Sequence, residues 1–330
     1  MKSSGSSRSI KTHQPTRRHM LGGALAGVAG LAAGAAVPHL TLAKAAEVSA
    51  TPEIIHTALS DSLHLFLGAG GNVVAANSAD GVLLVDSGLA QYGPALLASV
   101  AAACGGRKVQ LLLNTHWHWD HTGANALLGK AGVKIIAHEN TRLWLGTRVD
   151  SKWENRIYPP QPAYALPTQT FFYGAQKLGF GGQDIEYTIM PQAHTDGDIY
   201  VFFPRENVLV AGGVVTGGSY PLPDYCTGGW LGGMIDALKT ILAKTDAHTR
   251  IISGLGATRT RADVQAQLDM CTAVMAKIGS NYFKGGTWAQ LRDSKPTGEF
   301  DAQWGNPEPF LQMAYDGAWY HVNEIRRYAR

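Results

Sequence analysis

Three short apolar runs, LHLFLG, NVVAANS and GVLLVDSG, open the patterned part of the chain. They are rich in Val and Leu and separated by Gly, Asn and Asp, which predicts a meander of strands. AQYGPALLASVAAAC then spaces its apolar residues as a helix does and stops at Gly105 and Gly106. A strand VQLLLN, a histidine-rich loop, a helical GANALLG, a strand VKIIAH and a helix around ENTRLWLG follow. Such alternation of strand and helix implies a layered α/β sheet. Residues 150–168, DSKWENRIYPPQPAYALPT, read as a Pro- and aromatic-rich loop too long for a simple connector, a candidate lid or pocket wall. The second half repeats the rhythm, with strands near residues 170–173, 185–190, 199–203 and 208–211, a helix over 229–244, a short strand RIISG and a long helix over 260–278. A Gly- and Pro-punctuated stretch from Lys284 leads to a last helix ending at EIRRYAR. Two strand-rich halves, each covered by helices, predict an αββα sandwich. No low-complexity linker or short repeat interrupts it, so one domain over residues 46–330 is expected.

The first 45 residues have a different character. A twin arginine, Arg17 and Arg18, precedes an Ala- and Gly-rich apolar segment that ends in small residues at Ala43 to Ala45. This resembles a twin-arginine (Tat) export signal, with cleavage expected near Ala45 or Ala46. The expected location is the periplasm or beyond, and the expected partner is the Tat machinery, which exports folded proteins. Retention as an N-terminal anchor is the competing reading, since residues 20–37 are nearly long enough to span a bilayer. Removal of the signal reverses the charge balance. The chain has 28 Lys and Arg against 25 Asp and Glu, and the leader holds six of the basic residues and none of the acidic ones. The remainder is slightly acidic, which provides no footprint for nucleic acid or for an anionic membrane. Cys104, Cys226 and Cys271 have no CxxC spacing, so neither a disulfide framework nor a thiolate zinc cluster is indicated.

The densest chemistry lies in NTHWHWDHTG, residues 114–123, directly after the strand VQLLL. A strand end is rigid while the loop beyond it can turn side chains into a cleft, and sites gather at such junctions. His116 and His118, two apart, project to one side. Neutral imidazoles suit zinc, and Asp120 and His121 add donors within reach of the same place. Trp117 and Trp119 are expected to shield the site from water. A further ligand must come from elsewhere, and His194 in MPQAHTDGDIYVFFP again opens a loop between strands. Asp196 and Asp198 are expected to orient it or a bound water.

HWHWDH and the downstream AHTDGD resemble the metallo-β-lactamase-fold superfamily of zinc hydrolases. The similarity is to a periplasmic-type branch in which THWHxDHTGxN, HEN, ALP, HTDGD, YPxxD, GG and TRAD follow in this order, and it runs from about Leu63 to the C-terminus. The resemblance implies an αββα sandwich. It also implies a first zinc on His116, His118 and His194, and a second on Asp120, His121, a bridging Asp and a late His. The chain departs at the last two, with Gly213 and Leu255 in their places. Asp224 and Cys226, in YPLPDYC, are candidate substitutes, although a solvated carboxylate and a buried thiol are the plainer explanations.

One zinc ion is therefore expected, with Asp120 as the catalytic proton acceptor or aiming group. The leading function is hydrolysis of an ester, lactone, thioester or β-lactam bond in a small-molecule substrate. The alternative is a catalytically impaired relative that binds a small molecule or partner, consistent with the paired loss at Gly213 and Leu255. A diiron redox centre is less favoured, because it needs the missing bridging carboxylate. Trp144, Trp153, Tyr158 and Tyr164 suggest an apolar substrate surface, and core packing or a dimer contact explains them equally well.

Overall fold

In a computed structural model, residues 53–325 are described and fall within one compact unit. The expected leader, including Arg17 and Arg18, lies outside the described residues, as does the last stretch of EIRRYAR. The strands of the first half are β1 (Ile55–Ala58), β2 (Leu63–Leu67), β3 (Val73–Ser78), β4 (Gly81–Val85), β5 (Val109–Leu113), β6 (Lys134–His138), β7 (Val149–Ser151) and β8 (Arg156–Tyr158). Those of the second half are β9 (Gln169–Phe171), β10 (Ala175–Phe180), β11 (Gln183–Ile189), β12 (Ile199–Phe203), β13 (Val208–Gly212) and β14 (Arg250–Ser253).

Seven strands form one sheet in the order β1-β2-β3-β4-β5-β6-β9, and five form a second in the order β10-β11-β12-β13-β14. In the first sheet the β1–β4 meander is antiparallel, because its short turns allow nothing else. The strands joined through helices, β4, β5, β6 and β9, run parallel. The faces of the two sheets meet in an apolar core in which Leu65, Val85 and Leu113 of the first sheet oppose Val201, Val210 and Ile252 of the second. The outer face of the first sheet is covered by helix Gly93–Ala103 through Leu96 and Val100. That of the second is covered by helices Leu231–Lys244 and Arg261–Phe283, which bury Leu238, Ile241 and Val274 against Leu209 and Ile251. Four layers result, the αββα sandwich expected from the strand and helix rhythm.

Two local expectations are corrected. Residues 150–168 are not a plain loop, because β7 and β8 close a small antiparallel hairpin with Tyr158 buried at its foot. Strand β10, in the Gly-interrupted AQKLGF, had no clear apolar signal of its own. It is an edge strand with alternating exposed positions, held by its full pairing to β11.

The loops that carry Asp86, the histidine cluster, His194, Gly213 and Leu255 leave the carboxyl ends of β4, β5, β11, β13 and β14, and the β7–β8 hairpin adds Trp153, Arg156 and Tyr158. Open α/β sheets place their ligand crevices at such ends. The two sheets are tied there: the Ile199 N–H donates to the Thr115 carbonyl at 2.8 Å, and the Asn72 side chain donates to the Ser253 and Gly256 carbonyls at 2.9 Å each.

Candidate metal centre

The histidine loop is fixed before any ligand is considered. At its start, Asn114 and Asn125 pair through both amides, at 2.8 and 3.2 Å. Trp119–Thr122 winds into a single helical turn, whose entry is closed by Thr122 Oγ1 donating to the Trp117 and His118 carbonyls. Gly123 is required by close approach, since a Cβ there would lie 2.2 Å from the Ala90 nitrogen.

Each histidine is held by the ring nitrogen that faces away from the cleft. Thr115 Oγ1 gives its only proton to Asp86 Oδ2 at 2.7 Å, so at 3.0 Å it accepts from His116 Nδ1–H. His118 Nε2 lies 3.0 Å from Asp224 Oδ2, and His194 Nδ1 lies 2.7 Å from the Leu222 carbonyl. These partners are all acceptors, so each imidazole spends its proton outward. The inner nitrogens are His116 Nε2, His118 Nδ1 and His194 Nε2, and each is left with a lone pair. Donor atoms of the three side chains lie within 4.8 Å of one another, and His118 Nδ1 and His194 Nε2 only 2.9 Å apart. Two facing lone pairs repel at that distance, and the contact is relieved either by a metal ion among them or by a proton on His118 Nδ1 donated to His194 Nε2. The donor set therefore fits a metal ion, and the outward acceptors are of the kind that orient imidazole ligands.

The electrostatics favour neutral imidazoles at His116 and His194 and a proton at His118. Burial, reinforced by the neighbouring imidazoles, pushes the His116 pKa well below its usual range. Burial and then His118 push His194 down to about 3. Burial also opposes charge on His118, but the Asp224 carboxylate outweighs it and moves its pKa upward.

A second triplet, His116, Asp120 and His121, has donors within 4.8 Å of each other. His121 Nδ1 is 2.7 Å from Asp86 Oδ2, and its Nε2 is 3.4 Å from Asp120 Oδ2. The two carboxylates outweigh burial and raise the His121 pKa to about 10, while for Asp120 burial is overcome by His121 and His118, which hold its carboxyl well below the usual range. This side of the centre lacks both remaining donors. Leu255 lies at the rim with 62% of its surface exposed. At Gly213 the backbone is pressed onto the His194 ring: a Cβ would lie 2.2 Å from Cδ2 and 2.6 Å from Nε2. A bridging Asp is thus missing, and there is no room for one.

Three expectations need correction. Asp196 and Asp198 do not orient His194. Asp196 Oδ1 accepts from Trp144 Nε1 at 2.7 Å, and Asp198 accepts from the Thr195 N–H and hydroxyl, leaving the Leu222 carbonyl to hold the imidazole. Asp224 is neither a solvated carboxylate nor a substitute ligand, because it sits behind His118 with 1% exposure, where it also accepts from Thr227 Oγ1 and Trp153 Nε1. Cys226 is in neither donor cluster among the described residues. Trp117, buried with its Nε1 donating to Thr227 Oγ1, packs edge-on against the His118 ring at 4.6 Å, and Trp119 lines the cavity, so both stand beside the site as expected.

Asp86 escaped the sequence reading. It stands in the left-handed backbone region, with φ of 64°, and takes bonds from the Thr115 N–H, the Thr115 hydroxyl and His121. An acid closing the apolar run GVLLVD, where a strand meets the site rim, was the available signal.

The centre opens into a cavity of about 590 Å³. Its lining includes an aromatic group, Trp119, Trp153 and Tyr158, and a glycine-rich stretch at Gly217, Gly218 and Gly256 beside Thr216, Ser219 and Leu255.

A family model described as the metallo-beta-lactamase superfamily matches residues 67–269. The chain belongs to that superfamily. Its fold is similar to the solved metallo-beta-lactamase from Pontibacter korlensis, with a TM-score of 0.54 and 16% identity over 66% of this chain and 99% of that one. The DIM-1 metallo-beta-lactamase has a TM-score of 0.54 and 18% identity over 67% and 97%. VMB-1 has a TM-score of 0.53 and 16% identity over 67% and 98%. At these identities the likeness is one of fold. Members of the metallo-β-lactamase superfamily are in general hydrolases, and this one carries their hydrolase fold with a histidine-rich candidate metal site at its rim.

Proposed function

We propose that this superfamily member is a zinc-dependent hydrolase of an acyl bond of the ester, lactone, thioester or β-lactam type, working with one ion held by His116, His118 and His194. The observation that carries the reading is the outward anchoring of all three imidazoles, which leaves their inner nitrogens as converging lone pairs. When bound in such a frame, zinc supplies a Lewis acid and a water of near-neutral pKa.

The rest falls to the chain. Asp120 is ionised and half-open to the cavity, where it can accept a proton from the attacking water or aim it. His121 fixes that carboxylate from one side and is itself fixed by Asp86. Trp119 and Tyr158 exclude water from the aromatic part of the lining, and the glycine-rich stretch admits a flat acyl group close to the centre. Zinc quantification in freshly purified protein, with acyl-ester hydrolysis before and after chelation, tests the reading. Near one equivalent and chelator-sensitive turnover are expected, and protein without metal would sink it.

A second reading, an impaired relative that binds a small molecule, draws on the closed position at Gly213. Without a second cation, charge on the departing group has one stabiliser fewer, a loss of several kcal/mol in comparable sites. Full zinc occupancy with no turnover across an acyl panel would favour it.

A further inference from the structure

Arg156, at the start of β8, is the only Lys or Arg among the described residues that line the cavity. Its guanidinium is carried beside the aromatic group, with its central carbon 4.7 Å from the Tyr158 ring centroid and 5.2 Å from that of Trp119. Those rings pack edge to face at 4.8 Å, and Tyr158 packs likewise on the buried Trp117 at 5.3 Å. The cation is therefore referenced to the same loop that carries His116, His118 and Asp120. The hairpin bearing it is secured at its turn by Trp153 Nε1, which donates to Asp224 Oδ1 at 3.2 Å.

Arg156 forms no ion pair among the described residues, although the carboxylates of Asp120 and Glu154 line the same cavity. Glu154, the acid nearest in sequence, accepts from the Tyr158 hydroxyl at 2.9 Å, and no hydrogen bond or ion pair of the described residues engages the Arg156 guanidinium. A guanidinium seated beside two rings, with no partner for its N–H groups among the described residues, can receive a planar anion, and carboxylate matches its fork.

We infer that Arg156 is the specificity-determining cation of this cavity and that the substrate class is an acyl compound bearing a carboxylate remote from the scissile carbonyl. The guanidinium holds that carboxylate at the mouth while the apolar body lies against the aromatic and glycine-rich parts of the lining. The inference rests on the cavity being the substrate site, as proposed above, but not on the identity of the ion.

The test compares wild type with Arg156→Gln, using paired probes that differ only in charge. The mono-4-nitrophenyl ester of glutaric acid and neutral 4-nitrophenyl butyrate report turnover. Titration of tryptophan fluorescence with 4-phenylbutyrate and 4-phenylbutyramide reports binding without turnover. Wild type is expected to favour the anionic member of each pair by about tenfold, the worth of one charge-assisted contact. Arg156→Gln is expected to abolish that preference through KM and Kd, with kcat, zinc content and thermal midpoint unchanged. Equal treatment of the charged and neutral probes by wild type, or a preference that survives in the variant, overturns the inference. A carboxylate preference in binding without hydrolysis of either ester would overturn the hydrolase reading and leave the role of Arg156 standing.

Discussion

The two halves of the metal centre share a loop but differ in how they are built. On the His194 side each donor has an acceptor behind it, a hydroxyl of the histidine loop itself and a buried carboxylate and a carbonyl of the one loop that follows β13. On the His121 side one donor, His121, is backed by Asp86 and the other, Asp120, is half-open, and the two positions that would complete a site are an exposed leucine and a glycine jammed against an imidazole. A ligand set is thus lost in two ways. A side chain can be exchanged with its space preserved, as at Leu255, or the backbone can move into the space, as at Gly213. Only the first is reversible by a point substitution.

The largest effect should come from His194→Ala, which removes one of three donors. Zinc affinity is expected to fall at least a hundredfold and hydrolysis with it, as read by competition with a chromophoric chelator. Retention of a full equivalent would place the ion elsewhere. Gly213→Asp probes the other half. The added atoms must displace the His194 ring, so a loss of about 2–4 kcal/mol in urea denaturation is expected, with zinc at or below one equivalent. Two tightly bound ions in this variant would erase the contrast between the halves. Asp224→Asn keeps the size of the group behind His118 but weakens its pull, and about a tenfold loss of zinc affinity should follow, with the fold intact.

A smaller effect concerns pH. Burial raises the Asp198 pKa to about 7 against the bonds from Thr195, whereas in the unfolded chain it titrates near 4. Its folded-state preference for the proton is fully stabilising below about pH 4, is lost as pH rises from 4 to 7, and is level above that. The stability difference between wild type and Asp198→Asn should therefore shift in favour of the variant across that window. Urea midpoints at pH 5 and 8 would show it, and an unchanged difference would mean that the carboxyl is ionised in the fold. Leu255→His should change least, with stability within about 0.5 kcal/mol and no second ion, because the site is exposed and Gly213 still lacks a donor.

Much of the sandwich was legible because its strands are nearly pure apolar runs and its helices carry clear periodicity. The edge strand β10 was not, since half its side chains face solvent and its place is set by a partner strand. The donor residues were legible for a different reason: HxHxDH concentrates them within six positions, and His194 repeats the context of a strand end. What held them was not. The Leu222 carbonyl and the Thr115 hydroxyl act through position, and no side-chain pattern announces a backbone acceptor. Asp224 stood out as an acid near the site, but whether it would face the ion or the back of an imidazole depended on a turn that only the fold defines. Arg156 sat in a stretch that reads as loop, and its meaning arises from the rings beneath it.

Besides the Thr227 hydroxyl and the Cys226 N–H, the carboxylate of Asp224 holds an imidazole at the centre and an indole at the tip of the hairpin. Loosening the hairpin deprives that carboxylate of one tether and leaves it freer to wander from the imidazole. By reciprocity, whatever fixes the imidazole must also quiet the hairpin, by the same free energy. On the proposed function, grip on the ion and stillness of the entrance are coupled through this carboxylate, and a change to one is expected to be felt in the other.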